Sequence, residues 1–168
     1  MEDAHVRNEL AALIPRLRRF ALALTGNRAD ADDLVQDALE RALRRADQWR
    51  PGTRVDSWVF RIARNAWIDE TRSRKVRGRV VSYDPEADAP GVDGRAAMEA
   101  TMTLDRAMKV MATLPPEQRA VIALVQIEGF SYREAAEILG VPEGTITSRL
   151  VRARSVLEAK VLGEEDAP

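Results

Sequence analysis

Residues 131–154 read SYREAAEILGVPEGTITSRLVRAR, and the fold of the chain turns on this stretch. Ser131 and Glu134 stand at the spacing of a capping box, in which a hydroxyl and a carboxylate each satisfy a backbone N–H that a new helix leaves unpaired. Ala135, Ala136, Ile138 and Leu139 then give a short helix one apolar side. Gly140 makes a left-handed backbone cheap and ends that helix, and Pro142 opens the next. Ile146, Leu150, Ala153 and Leu157 recur at i, i+4, i+7 and i+11 as one buried stripe. The stripe leaves Thr145, Ser148, Arg149 and Arg152 on other faces. No acid occurs between Glu143 and Glu158, an interval that holds Arg149, Arg152 and Arg154. A capped short helix, a glycine turn and a basic second helix make a helix-turn-helix. Hydroxyls near the start of the second helix can reach base edges or phosphates, and its arginines can bind guanine or phosphate, so the unit reads as DNA-binding. The plainer alternative is a helical hairpin with a solvated basic face.

Working outward, LPPEQ (Leu114–Gln118) starts a helix with proline in its first turn. Val121, Ile122, Leu124, Val125 and Ile127 are its core side, and EGFS stops it at Gly129. Met98, Leu104, Met108 and Met111 mark one face of the helix before it. Between Ser82 and Arg95 the composition changes to Pro85, Pro90, Gly91, Gly94 and four acids (Asp84, Glu86, Asp88, Asp93), a flexible acidic linker. Ahead of the linker lies another helical unit. Leu10, Leu13, Leu17, Phe20, Ala21 and Leu24 form the stripe of a first helix, with Pro15 inside it as a possible kink. Thr25–Asn27 is a stop and turn. A second helix opens on Asp30, Asp32 and Asp33, acids that complement its dipole, and buries Leu34, Val35, Ala38, Leu39 and Ala42. After the loop Trp49–Ser57, where Asp56 or Ser57 is placed to cap, a third helix turns Trp58, Val59, Ile62, Ala63 and Ala66 inward. The expected fold is all-α: small helical domains over 1–80 and 98–162, a linker over 81–97 and a disordered tail over 163–168.

The third helix turns basic toward its end. From Arg61 to Arg79 there are seven basic residues against two acids. Trp49, Trp58 and Trp67 lie near this run in sequence, and aromatics beside arginines support unstacked bases at about 1–3 kcal/mol each. Asn65 could read a base edge. A solvated basic face, with the tryptophans as core, explains the same residues. The acidic side of the second helix could dock a protein partner or simply favour solubility.

Composition excludes other classes. Hydrophobic residues make up 45% and charged residues 32% of the 168, so the chain has enough apolar surface to fold. It holds no cysteine, one histidine (His5), no Walker loop and no GxGxxG, which leaves no catalytic constellation and no metal or cofactor site. No run of 18 apolar residues and no signal-peptide pattern is present, so a cytoplasmic protein without membrane insertion is expected.

Three stretches together resemble an extracytoplasmic-function sigma factor of bacterial RNA polymerase: DADDLVQDALERAL (30–43), SWVFRIARNAWIDETRSRK (57–75) and the run from LPPEQ to LVRAR (114–154). The resemblance covers roughly residues 8 to 160. It implies a region 2-like unit at 1–80 and a region 4-like unit at 98–162. It places Asp33, Leu34, Gln36, Asp37 and Glu40 on the clamp helices of the largest subunit of core polymerase, with the upstream flap of the second subunit as a further contact. It assigns Trp58, Arg61, Arg64, Asn65, Arg72, Arg74 and Lys75 to melting and reading the minus-10 element, with a base flipped near Asn65. It assigns Thr145, Thr147, Ser148, Arg149 and Arg152 to the minus-35 element. It implies an anti-sigma factor as partner and no cofactor. Many relatives carry lysine or arginine at Thr147, so one phosphate contact is missing here.

The net charge of −1 fits a chain that binds promoter DNA poorly alone and well when polymerase holds two weak sites at the correct spacing. One rival is a stand-alone helix-turn-helix regulator, which would need a dimer surface and a palindromic site. Another is a sigma mimic that sequesters a regulator; the basic residues at 72–79 and 149–154 argue against it, because a decoy needs no DNA surface.

Overall fold

Asn27 fixes where the second helix starts. Its side-chain oxygen accepts from the Asp30 N–H at 2.8 Å, and its amide donates to the Asp30 carboxylate at 2.8 Å. Gly26, at φ 79°, makes the reversal that precedes it. The computed structural model describes residues 2–78 and 95–165. In it α1 (Glu2–Thr25) turns into α2 (Arg28–Arg44), and a 3-10 turn (Ala46–Gln48) leads to α3 (Val55–Val76). The second unit comprises α4 (Arg95–Ala112), α5 (Pro116–Ile122), a π turn (Ala123–Ile127), α6 (Tyr132–Leu139) and α7 (Glu143–Glu165). The described residues contain no strand, and the all-α expectation holds.

Small residues let the first three helices approach closely. Ala38 and Ala42 of α2 and Ala63 and Ala66 of α3 are buried with Leu17, Phe20 and Leu24 of α1. Arg74 closes the far end of this unit, donating to both Asp30 carboxylate oxygens at 2.7 and 2.8 Å. In the second unit Met111, Leu114, Val121, Leu124, Ile138, Ile146 and Leu150 share the interior. Arg119 holds the end of α4 in place, donating to the carbonyls of Met111, Ala112 and Leu114 at 3.0, 2.9 and 3.0 Å. A guanidinium among the last carbonyls of a helix complements its dipole.

Several details differ from the sequence reading. Ile127, expected in the core, is 42% exposed because the π turn adds a residue to its helical turn and rotates it off the stripe. Leu104 is also exposed, one turn ahead of the buried Met108 and Met111. Neither Asp56 nor Ser57 caps α3: the helix begins at Val55, and Asp56 sits inside its first turn, buried. Arg95 already opens α4, and α7 continues to Glu165, into the stretch expected to be a tail. The expected acidic linker otherwise lies outside the described residues, as do residues 166–168.

The two units are packed against each other by one continuous apolar core. Phe60 of α3 is its pivot, with ring centroids 5.1 Å from Phe20 of α1 and 5.1 Å from Phe130, which precedes α6. Such tilted pairs add to the stabilisation from burial alone.

Candidate nucleic-acid interface

The helix-turn-helix is built as its residues dictate. The Ser131 hydroxyl accepts from the Glu134 N–H at 3.1 Å, and the Glu134 carboxylate accepts from the Ser131 N–H at 2.8 Å, which completes the capping box. Gly140, at φ 65°, ends α6. The Pro142 carbonyl accepts from Thr145 N–H at 3.0 Å and begins α7. Ile146, Leu150 and Ala153 are buried beneath α7. Thr147, Ser148 and Arg152 are exposed, and Thr145 and Arg149 half-buried. The Thr147 and Ser148 hydroxyls turn back onto the carbonyls of Glu143 and Thr145 at 3.3 and 3.1 Å. Arg149, Arg152 and Arg154 take part in no ion pair among the described residues.

The basic residues of α3 are more engaged. Arg61 donates to the Glu137 carbonyl of α6 at 2.7 Å, and Arg64 to the Asn65 side-chain oxygen at 3.2 Å. Arg74, besides gripping Asp30, donates to Glu70 at 2.7 Å. Asn65, Arg72 and Lys75 are exposed. Trp58 is half-buried against the core and Trp67 is buried. Trp49 packs partly buried against the core beside α1, its ring 6.3 Å from that of His5.

One cleft brings the two basic surfaces together. It encloses about 320 Å³ between α3 and the second unit, and Arg64, Arg72 and Lys75 line it opposite Arg149 and Glu117. Burial lowers the Arg64 pKa, the nearby charges of Arg149 and Arg72 lower it further, and Glu117 opposes them. Four cations facing one carboxylate make a site that attracts an anion.

The residues expected to dock polymerase line a different hollow, of about 280 Å³. Asp33, Leu34 and Asp37 form its rim with Asp30, Trp67 and Arg74. Leu34 is 7% exposed and belongs largely to the core. Gln36 and Glu40 are exposed; Asp37 pairs with Arg41 at 2.9 Å and Glu40 with Arg44 at 3.4 Å.

Sequence reasoning missed the residues that join the units. Arg16 and Arg19 of α1 both donate to the Glu128 carboxylate, at 3.2 Å each, and that side chain is wholly shielded from solvent. The Arg16 guanidinium lies 5.2 and 5.1 Å from the Phe60 and Phe130 ring centres. It also donates to Asp56 at 3.2 Å. Burial alone would raise the Asp56 pKa, but hydrogen bonds from Arg54, the Ser57 N–H and Arg16 hold it below its ordinary value. Arg54 pairs with Glu134, and Arg119 reaches the Leu24 carbonyl of α1 at 2.8 Å. Burial depresses the Arg119 pKa.

A three-helix unit joined to a helix-turn-helix unit, with cationic residues on the third and last helices, defines a two-unit DNA-binding protein of transcription. The family described as Sigma-70 region 2 matches residues 10–77, and that described as Sigma-70, region 4 matches residues 104–157. The ECF RNA polymerase sigma factor EcfG of Rhodopseudomonas palustris is 38% identical over 163 residues, which cover 96% of this chain and 88% of that protein. The sigma factor RpoE of Bartonella quintana, solved in complex with the anti-sigma factor NepR, is 34% identical at a TM-score of 0.78, with 94% of this chain and 96% of that one covered. CnrH, solved with the cytosolic domain of CnrY, is 26% identical at a TM-score of 0.70, over 96% and 89% of the two chains. The chain belongs to the ECF sigma factors of RNA polymerase. Sigma factors direct promoter-specific transcription initiation and are not enzymes. No helix among the described residues is long and apolar enough to cross a membrane.

Proposed function

We propose that this chain binds core RNA polymerase through the exposed acidic side of α2 and directs it to promoters. In this reading Asp33, Gln36, Asp37 and Glu40 meet the clamp helices of the largest subunit, and the second unit meets the upstream flap of the second subunit. Around the minus-10 element, Arg61, Arg64, Arg72 and Lys75 hold the backbone while Asn65 and Trp58 lie where a base is unstacked. Arg74 supports α3 through Asp30 more than it can reach DNA. On the minus-35 element, α7 offers Thr145, Thr147, Ser148, Arg149 and Arg152. An anti-sigma factor is the expected negative regulator, as the Bartonella quintana relative RpoE is solved with one bound.

The observation that carries the reading is the pair of cationic helices, α3 and α7, each in a unit that matches its own sigma region. A stand-alone regulator needs only one such surface. Run-off transcription with core polymerase tests it: the chain should yield transcripts with a defined start, which neither a regulator nor a sequestering mimic can do. No transcript from any bacterial promoter would refute it.

A further inference from the structure

The cleft of about 320 Å³ between α3 and the second unit has two kinds of wall. On the charged side α3 contributes Arg64, Arg72 and Lys75, which share one face of the helix with Ile68 at i, i+4, i+8 and i+11. Arg149 of α7 and Glu117 of α5 stand opposite them. Arg64 and Arg149 are half-buried, and Arg72 and Lys75 are exposed at the mouth. Four cations against one carboxylate leave three net positive charges among the lining residues. Arg64 donates to the neighbouring Asn65 side chain, and a guanidinium has five N–H groups to give. Burial lowers the Arg64 pKa, and the charges of Arg149 and Arg72 lower it further, with only Glu117 opposing. That is the electrostatics of cations crowded together without enough counter-charge. The other side is apolar: Trp67 of α3, Pro116 and Ala120 of α5, and Leu139 at the end of α6. A cleft of this volume, largely apolar with a few convergent polar groups, is of the size that holds a small organic ligand.

We propose that this cleft binds a nucleoside polyphosphate, with its phosphates on Arg64, Arg72, Lys75 and Arg149 and its base against Trp67 and Pro116. Charge and shape together select the class. Inorganic phosphate would pair the cations but leave the apolar wall wet. A hydrocarbon acid would cover the apolar wall but leave most of the cations unpaired. A nucleotide satisfies both walls at once. Guanidinium groups grip phosphate oxygens bidentately, and their flat faces also stack on rings. Glu117 is the one lining group that repels the phosphates, so it limits affinity rather than supplying it. The site itself does not rest on the function proposed above, but its consequence does. The same cations are those assigned there to the promoter, so a bound nucleotide and the DNA backbone compete for them. Elements centred near minus 10 and minus 35 are about 25 base pairs apart, roughly 85 Å of duplex at ~3.4 Å per pair. Helices α3 and α7 cannot share one cleft and reach both elements, so the nucleotide site is one of the free chain.

Isothermal titration of the full chain without divalent cations tests the site, with ATP, GTP, tripolyphosphate and adenosine as probes. At least one of the two nucleotides should bind one to one with a Kd on the order of 100 µM. Tripolyphosphate should bind about tenfold more weakly, and adenosine not measurably. Arg149→Ala should weaken nucleotide binding about tenfold. Lys75→Glu, at an exposed position, should do the same and serves if Arg149→Ala loses helical circular dichroism. Glu117→Gln should tighten binding severalfold, a gain that damage to the fold cannot imitate. Arg18→Ala, on α1 and outside the cleft, should leave binding unchanged. Binding of neither nucleotide overturns the site, and tripolyphosphate binding as tight as theirs overturns the nucleotide assignment. Equal losses in Lys75→Glu and Arg18→Ala would reduce the effect to diffuse charge and overturn it as well. Run-off transcription with the unsubstituted chain separates this inference from promoter reading. Nucleotide binding as described without any transcript sinks promoter reading alone; transcripts from a chain that binds neither nucleotide sink the nucleotide site alone.

Discussion

The two cationic helices carry similar charge but hold it differently. On α3, Arg61, Arg64 and Arg74 are each committed to a partner within the chain, whereas on α7 Arg149, Arg152 and Arg154 lack ion-pair partners among the described residues. The cause is position. α3 lies between two layers, α2 on one side and α6 on the other, while α7 rests on the second unit by one narrow stripe of Ile146, Leu150 and Ala153. A helix buried on two sides turns arginines such as Arg61 and Arg74 into struts, while Arg72 stays exposed toward the C-terminal end of α3. A helix buried on one side keeps its arginines available for a ligand.

The strongest way to break this contrast is at its pivot. Phe60→Ala removes the ring that meets both Phe20 and Phe130 and should cost about 3–5 kcal/mol of stability, read by denaturant unfolding. An unchanged midpoint would show that α3 is not held between two layers. Next in size, Arg74→Ala should cost about 2 kcal/mol by the same method, because it removes charged hydrogen bonds to Asp30. This pair also sets an acid limb. The Arg74 hydrogen bonds hold Asp30 below its ordinary pKa of 3.8, against the opposing effect of burial. A carboxylate with a depressed folded-state value stabilises fully above the unfolded value and loses that contribution as pH falls through the folded one. Stability should therefore decline below about pH 4, and Asp30→Asn should flatten the decline.

Smaller effects are expected on α7. Arg149→Ala and Arg152→Ala should each weaken promoter binding by the holoenzyme about tenfold and leave unfolding and core binding unchanged. Loss of core binding instead would refute the division of labour between units. Smallest of all, Thr147→Lys should restore a phosphate contact and steepen the salt dependence of DNA binding by about one unit of slope. A slope that does not move would place Thr147 away from the backbone.

Much of the second unit was legible because its signals are local. Ser131, Glu134, Gly140 and the Ile146 stripe act within a few residues of one another, and periodicity alone places them. The core of the first unit was legible for the same reason. The joint between units was not. Glu128 looks like an ordinary end-of-helix acid, and its partners Arg16 and Arg19 lie more than a hundred residues away. Nothing in the periodicity around Ile127 signals the π turn that aims Glu128 at them. Arg119 is likewise an unremarked basic residue in sequence, yet four carbonyls from two units converge on it. Asp56 was misread as a cap because its role is set by Arg16 and Arg54, not by its distance from the helix start.

The separation of α2 and α7, followed by fluorescence transfer between dyes at Ala29→Cys and Lys160→Cys, tests most directly whether promoter reading requires the two units to part. Efficient transfer in the free chain should fall to near zero when core polymerase and a promoter fragment are added together, as the units move several tens of ångströms apart to reach elements about 85 Å distant along the duplex. Equal transfer in the free chain and in the transcribing complex would contradict the account.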